Sequence, residues 1–304
     1  MTYKLSATAP RPAIEAALAA SEDEGRWDAM LPIAAAEVDE AADIWALECW
    51  LEKRPTAAQK KALAALFTDT APTITSEKLP ETDWLTHSQQ NTPPIRAGRF
   101  HVHTPDFPPL AEPGVTNFCI PAAQAFGTGQ HATTAGCLDM LDTMKRQGVV
   151  AHEVADIGSG TGLLAFAARA LWPRARFIAS DIDPLCAEAV VGNARANAIP
   201  LGHRRGQVTP LVAEGMDDDL LDWRAPYDLL IANILAGPLI ELAPAFAAAT
   251  APRAHILLSG LLVSQEPAVR AAYRACGYRL HRRLHRSERS GDWSILWLRR
   301  RFAG

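Results

Sequence analysis

Over residues 1–80 the spacing of hydrophobic positions shifts from a period of two to one near four, and then back. Tyr3 to Ala9 alternates apolar and polar residues as a short strand does, and Pro12 to Ala20 reads as a helix opened by proline. In Ile44 to Glu52, Trp45, Leu47, Cys49 and Leu51 share one face while Glu48 and Glu52 share the other, which is again strand periodicity. Leu31 to Val38 is alanine-rich and fits strand and helix equally well. Thr56, after Pro55, is placed to cap a helix that turns Leu63, Leu66 and Phe67 inward and Lys60 and Lys61 outward. Thr73-Ile74-Thr75 closes the unit as a last strand. The order β-α-β-β-α-β predicts a small ferredoxin-like α+β domain over residues 1–80.

From Pro80 to Pro113 the pattern dissolves. Pro80, Pro93, Pro94, Pro105, Pro108, Pro109 and Pro113 disfavour long helices. Residues 81–113 read as a proline-rich linker with a short helix near Asp83-Trp84-Leu85 and a strand at Arg99 to Val102, Trp84 being a packing anchor in preference to a substrate contact. From residue 114 to 304 strand and helix patterns alternate. Strands are expected at Asn117–Pro121, Val154–Ile157, Phe177–Ser180, Val208–Ala213, Leu229–Ala232 and His255–Ser259. Helices are expected at Thr133–Met144, Gly162–Leu171, Pro184–Asn197, Pro238–Ala248 and Gln265–Cys276. This alternation predicts an α/β domain with a mostly parallel sheet and helices on both faces. Tyr278–Leu284 and Trp293–Leu298 add a terminal antiparallel hairpin.

Composition narrows the class without naming it. At 48% hydrophobic and 21% charged the chain is an ordinary globular one, and a net charge of −4 offers no global pull toward nucleic acid. No apolar run reaches the roughly 18–20 residues of a membrane span, and Met1 to Leu5 carries no apolar leader. The five cysteines (Cys49, Cys119, Cys137, Cys186, Cys276) are scattered without a C-x-x-C pair, so reduced thiols in the cytoplasm and no metal site are expected. The arginines near the C-terminus (Arg279, Arg282, Arg283, Arg286, Arg289 and Arg299 to Arg301) read as a solvated hairpin face, with RNA proximity as the sharper reading.

Four stretches carry chemistry. Val154 to Leu164 runs an apolar strand into the turn Gly158-Ser159-Gly160-Thr161-Gly162 and then a helix, where the backbone approaches a ligand closely and helix amides favour a polar cofactor. One strand later Asp181, in Ser180-Asp181-Ile182-Asp183-Pro184, can accept hydrogen bonds from both ribose hydroxyls of a nucleoside, or alternatively cap the helix that starts at Pro184. These two features fit NAD and S-adenosylmethionine alike. Tyr227 to Leu235 is a hydrophobic strand ending in Asn233, whose carboxamide can accept a hydrogen bond from an amine and aim its lone pair. Hydride transfer does not need that group, but amine methylation does. Ahead of the cofactor turn, Ala125 to Thr134 forms a glycine-rich loop with Phe126, Gly127 and His131, able to fold over a ligand. His131 is either a general base or a loop-positioning group.

Together, A-F-G-T-G-Q-H-A-T-T, D-I-G-S-G-T-G, D-I-D-P and A-N-I-L-A-G-P-L-I-E-L-A-P closely resemble the bacterial ribosomal protein L-eleven methyltransferase family. The resemblance extends to E-T-D-W-L at Glu81 to Leu85 and S-G-L-L-x-S-Q at Ser259 to Gln265, while the N-terminal third matches mainly in pattern. It implies a Rossmann-like class I methyltransferase domain that uses S-adenosylmethionine, releases S-adenosylhomocysteine, and methylates lysine side chains and the N-terminal amine of a ribosomal protein. The small N-terminal domain would grip that substrate. Carried over by position, the cofactor contacts fall on Thr134, Gly158, Asp181 and Asn233, with Gly160, Phe126 and Gly127 completing the cradle; Asn233 is the expected catalytic residue. The chain departs from the pattern at Gln130 and Ala132 and in a longer spacer before Val154. A cytoplasmic monomer needing neither metal, membrane nor direct nucleic-acid contact is expected. In the implied reaction Asn233, with the backbone carbonyls of Ile234 and Leu235, holds the amine in line with the methyl donor. The alternatives are another protein lysine, as on an electron-transfer protein, a nucleobase amine, and, in a different class, a cofactor-binding module without catalysis. Nucleobase methylation usually brings N-P-P-Y, whose aromatic stacks on a flipped base, whereas this chain has Asn233-Ile234-Leu235-Ala236.

Overall fold

The structure, a computed structural model, describes residues 3–21, 27, 33–39, 43–51, 53–68, 72–78, 94–121, 132–288 and 291–300. Contacts divide the chain into two units, residues 1–84 and 85–304. In the first, the elements are β1 (Tyr3–Pro10), α1 (Arg11–Ser21), β2 (Ile33–Asp39), β3 (Ile44–Leu51), α2 (Ala57–Ala65) and β4 (Thr73–Lys78). They form an antiparallel sheet in the order β2-β3-β1-β4, as a ferredoxin-like unit does. Leu5, Ala7, Ile14, Leu47, Cys49 and Leu63 fill its core. Thr56 caps α2 in a reciprocal box, its Oγ1 accepting from Gln59 N at 3.2 Å while Gln59 Oε1 accepts from Thr56 N at 2.9 Å. The ambiguous alanine-rich segment is strand β2, decided by its ladder to β3 (Ile33 opposite Cys49, Ala35 opposite Leu47) rather than by propensity.

The second unit opens with a small sheet of β5 (Ile95–Ala97), β6 (Phe100–His103) and β7 (Thr116–Cys119). The strand expected at Asn117–Pro121 therefore does not join the large parallel sheet. It pairs with β6, drawn from the proline-rich stretch, and the Asn197 side chain pairs with its last residue like a neighbouring strand. Asn197 Oδ1 accepts from Cys119 N at 2.7 Å and its Nδ2 donates to Cys119 O at 2.8 Å. The expected helix at Asp83-Trp84-Leu85 lies outside the described residues.

The large sheet has seven strands, built from β8 (Glu153–Ile157), β9 (Arg176–Asp181), β10 (Val208–Val212), β11 (Tyr227–Asn233), β12 (Thr250–Leu262), β13 (Tyr278–Glu288) and β14 (Gly291–Arg300). Its order is β10-β9-β8-β11-β12-β14-β13, with β14 antiparallel to both β12 and β13, so only the terminal hairpin breaks the parallel pattern. One face packs on α3 (Ala132–Arg146), α4 (Leu163–Leu171) and α5 (Pro184–Ala196) through Leu138, Leu141, Phe166 and Val190. The other packs on α6 (Asp219–Arg224), α7 (Ala236–Glu241), α8 (Ala243–Ala249) and α9 (Glu266–Ala275) through Leu221, Leu239, Phe246 and Val269. The single helix expected over Pro238–Ala248 is two, broken at Leu242. Pro244 lacks the N–H that would continue the first ladder, and Phe246 N starts a new one on Leu242 O at 2.9 Å. Among the described residues no helix is long and apolar enough to cross a membrane, and all five cysteines are free.

Glu266 ties the hairpin to α9. It is 3% exposed and accepts from Ser294 Oγ (2.9 Å), Arg270 (3.0 Å) and His285 Nε2 (3.1 Å), with Arg283 at 3.5 Å. Burial pulls its pKa upward, but bonds from His285, Ser294 and Arg270 and the Arg283 charge outweigh burial and hold it below the ordinary value. A depressed carboxyl adds stability above its unfolded value of 4.5 and loses it as pH falls through the folded one. Glu266→Gln should therefore cost about 1–3 kcal/mol at neutral pH. Thermal melts of variant and parent should converge as pH falls from 4.5 through the lower folded value.

Candidate active site

In a parallel sheet of this order ligands gather beyond the carboxyl ends of the strands, where neighbouring strands β8 and β11 send their chains to opposite faces. Both expected site elements lie there. After Ile157 the chain turns through Gly158, Gly160 and Gly162, all with positive φ. Gly158 N and Ser159 N donate to Ser180 O at 2.8 and 2.9 Å, Gly160 N to Asp181 Oδ2 at 2.8 Å, and Gly162 N to Ser159 O at 2.8 Å. Asn193 of α5 braces the turn by donating to Thr161 O at 2.9 Å. Beneath it Asp156, 1% exposed, accepts from Ala165 N in the first turn of α4 at 2.9 Å. Burial, reinforced by the Asp181 charge and opposed by the Ala165 bond, pushes Asp156 up to about 7. The turn amides of Gly158, Ser159, Gly160 and Gly162 hold the turn in shape and place it against β9.

Asp181 is half-buried at the end of β9, and its Oδ1 accepts from Asp183 N at 3.1 Å. Capping of α5 falls to Asp183, which accepts from Leu185 N at 2.9 Å. The alternative role for Asp181 as that helix's cap is thereby removed; it also accepts from the Cys186 side chain, and its carboxylate keeps lone-pair capacity for a hydroxyl donor. Around it Ile182, Leu185 and Val212, the last paired with Asp181 across the ladder, are 64%, 57% and 45% exposed. Sequence reasoning missed this apolar rim, although Ile182 and Leu185 flank the acid in the motif itself. Ser159 Oγ is buried without a hydrogen-bond partner among the described residues.

Asn233 ends β11 half-buried, and its Nδ2 donates to Thr134 Oγ1 at 3.2 Å. Thr134, near the start of α3, is 2% exposed. Its hydroxyl oxygen accepts from the Asn233 amide, which leaves Asn233 Oδ1 for another donor. The 99-residue separation between the two carries no local signal, so no pattern in the sequence shows this bond. Of the two backbone carbonyls expected to help, Leu235 O accepts from Leu239 N at 3.1 Å to start α7, and Ile234 O lies against Gly260. Phe126, Gly127 and His131 lie outside the described residues. Among the described residues no His, Cys, Asp and Glu group has the geometry of a metal site.

The site fits a methyl donor built on a nucleoside. It offers a carboxylate for a ribose diol, exposed apolar side chains for a flat base, a buried hydroxyl on the turn without a partner, and a carboxamide oxygen open to an amine.

Comparison with known proteins agrees in kind. Residues 11–301 match the family model described as Ribosomal protein L11 methyltransferase (PrmA). The chain is 37% identical over 270 residues to the Ribosomal protein L11 methyltransferase of Agrobacterium fabrum, covering 88% of this chain and 89% of that protein. It is 38% identical over 271 residues to that of Brucella suis, covering 88% of each. In fold it is similar to the crystal structure of ribosomal protein L11 methylase from Lactobacillus delbrueckii subsp. bulgaricus, with a TM-score of 0.55 and 24% identity. That likeness spans 68% of this chain and 98% of the other.

Proposed function

We propose, from the premise that this chain belongs to the ribosomal protein L11 methyltransferase family, that it methylates lysine side-chain and N-terminal amines of ribosomal protein L11. S-adenosylmethionine, bound at the turn after β8, supplies a methyl group activated by a sulfonium. The observation that carries the reading is the Asn233 carboxamide, oriented by Thr134 at a strand end beside a nucleoside-type site.

A lysine near pKa 10.4 is protonated at neutral pH, and exposing its lone pair costs about 4–5 kcal/mol. Two features lower that cost. One is Leu235, two residues after Asn233 and 70% exposed, which offers apolar surface that favours the uncharged amine. Asn233 Oδ1 accepts from an amine N–H, and because it is a neutral acceptor it does not favour the ammonium as a carboxylate would. The amine is then held with its lone pair turned toward the donor site, and alignment supplies the remainder. Asp181 accepts from the ribose hydroxyls, and Ile182, Leu185 and Val212 cover the base. Phe126 and Gly127 would supply further cofactor contacts. The N-terminal unit, over residues 1–80, holds the protein substrate, and the unit that opens with β5 carries the catalytic site. The enzyme works as a cytoplasmic monomer, without metal, membrane or nucleic acid.

Incubating the full chain with radiolabelled S-adenosylmethionine and purified L11 should place label on L11, with intact-mass analysis showing added methyl groups. Label on a different protein of a cell extract, with L11 unmodified, would sink the reading.

A further inference from the structure

Ile234 stands between two glycines that no functional motif explains together. The ladders end at Ile157 opposite Ala232 on one side and Asn233 opposite Ser259 on the other, so Gly158, Ile234 and Gly260 follow at nearly one level on three adjacent strands. Gly158 has φ +73 and Gly260 φ +83. A Cβ on Gly158 would lie 2.2 Å from Ile234 Cγ2, and one on Gly260 would lie 2.3 Å from Ile234 O and 2.9 Å from Ile234 N. The side chain of Ile234 therefore rests on the cofactor turn while its peptide rests on β12 at Gly260.

We propose that Ile234 is a positioning residue: clasped between Gly158 and Gly260, it ties the turn that carries Asn233 to the turn that holds the cofactor. This rests on the amine-methylation reading of the site. The side chain of Ile234 acts through the distance it sets between the two turns. A displacement near 1 Å of groups that must meet in line costs a rate about 10²-fold. The β-branch is the working part, because Ile234 Cβ itself would be 3.7 Å from a Gly158 Cβ, an ordinary contact. Valine keeps that branch, whereas alanine removes it.

The test uses full-length Gly158→Ala, Ile234→Ala, Ile234→Val and the two double variants. Its readouts are single-turnover methylation of L11, S-adenosylhomocysteine affinity by calorimetry, and thermal melting. Ile234→Val should stay within about threefold of the parent rate, while Ile234→Ala should lose about tenfold with affinity little changed, since misalignment acts on the chemical step. Gly158→Ala should lose about 10²-fold and melt lower. Adding Ile234→Ala should restore part of both, and adding Ile234→Val should restore neither. A glycine needed only for its φ, or only to admit the cofactor, would show no such rescue. Losses that simply multiply in the alanine double variant, or an Ile234→Ala enzyme at full rate, would overturn the proposal. If Gly158→Ala fails to fold, recovery of folding by Ile234→Ala supports the clasp, and continued failure together with a full-rate Ile234→Ala refutes it. If the parent chain does not methylate L11, the functional reading fails alone, because melting and S-adenosylhomocysteine affinity still report the coupling between the two positions.

Discussion

Asn233→Ala is expected to slow methyl transfer to L11 about 10²–10³-fold, the scale of removing one oriented hydrogen-bonding group from a reacting centre. Affinity for S-adenosylhomocysteine should move by less than about tenfold, since the group acts chiefly on the incoming amine. The side chain is not free to be replaced by any acceptor. Its Nδ2 donates to Thr134 Oγ1 at 3.2 Å, which fixes the carboxamide plane and presents Oδ1 outward. Asn233→Asp keeps an acceptor but adds a charge that stabilises the ammonium, so its activity should fall and shift toward higher pH. Thr134→Val should give a weaker version of the Asn233→Ala loss, through kcat, by releasing the carboxamide to rotate. Stopped-flow or quenched single-turnover assays with labelled donor separate these effects. A full-rate Asn233→Ala enzyme with normal cofactor affinity would remove Asn233 from the mechanism.

The second large effect is on binding. Asp181→Ala should raise the Kd for S-adenosylhomocysteine by about 10²-fold or more, because bonds to a charged acceptor are each worth about 1.5–3 kcal/mol. The loss has two parts. The ribose hydroxyls lose their acceptor, and Gly160 N and Asp183 N lose the carboxylate that shapes the turn and the entry to α5. Asp181→Asn separates them: it keeps an acceptor of the same shape without the charge, so it should recover part of the affinity. Calorimetry at matched salt reads both. An Asp181→Ala protein that binds S-adenosylhomocysteine as tightly as the parent would place the nucleoside elsewhere.

Much of the architecture is legible in local pattern. The strand and helix periods of Tyr3–Ala9, Val154–Ile157 and Leu229–Ala232 arise from side chains alternating across a pleat or winding along one stripe, and both are properties of neighbours in sequence. The glycine turn, Asp181 and Asn233 are likewise visible, because each sits at a strand end where a breaker or polar residue interrupts an apolar run. Other features are not, and for a shared physical reason. Whether the alanine-rich β2 is a strand depends on β3, and where β7 pairs depends on β6 and Asn197.

The same division runs through the site. Sequence alone determined which groups stand at the strand ends and what chemistry they can do. Tertiary structure alone decided how they are held: Thr134 orients Asn233 across 99 residues. It also placed Ile234 between Gly158 and Gly260. Chemical capacity belongs to a residue type and its local element. Orientation is set by atoms that meet only when distant strands stop at the same level of one sheet.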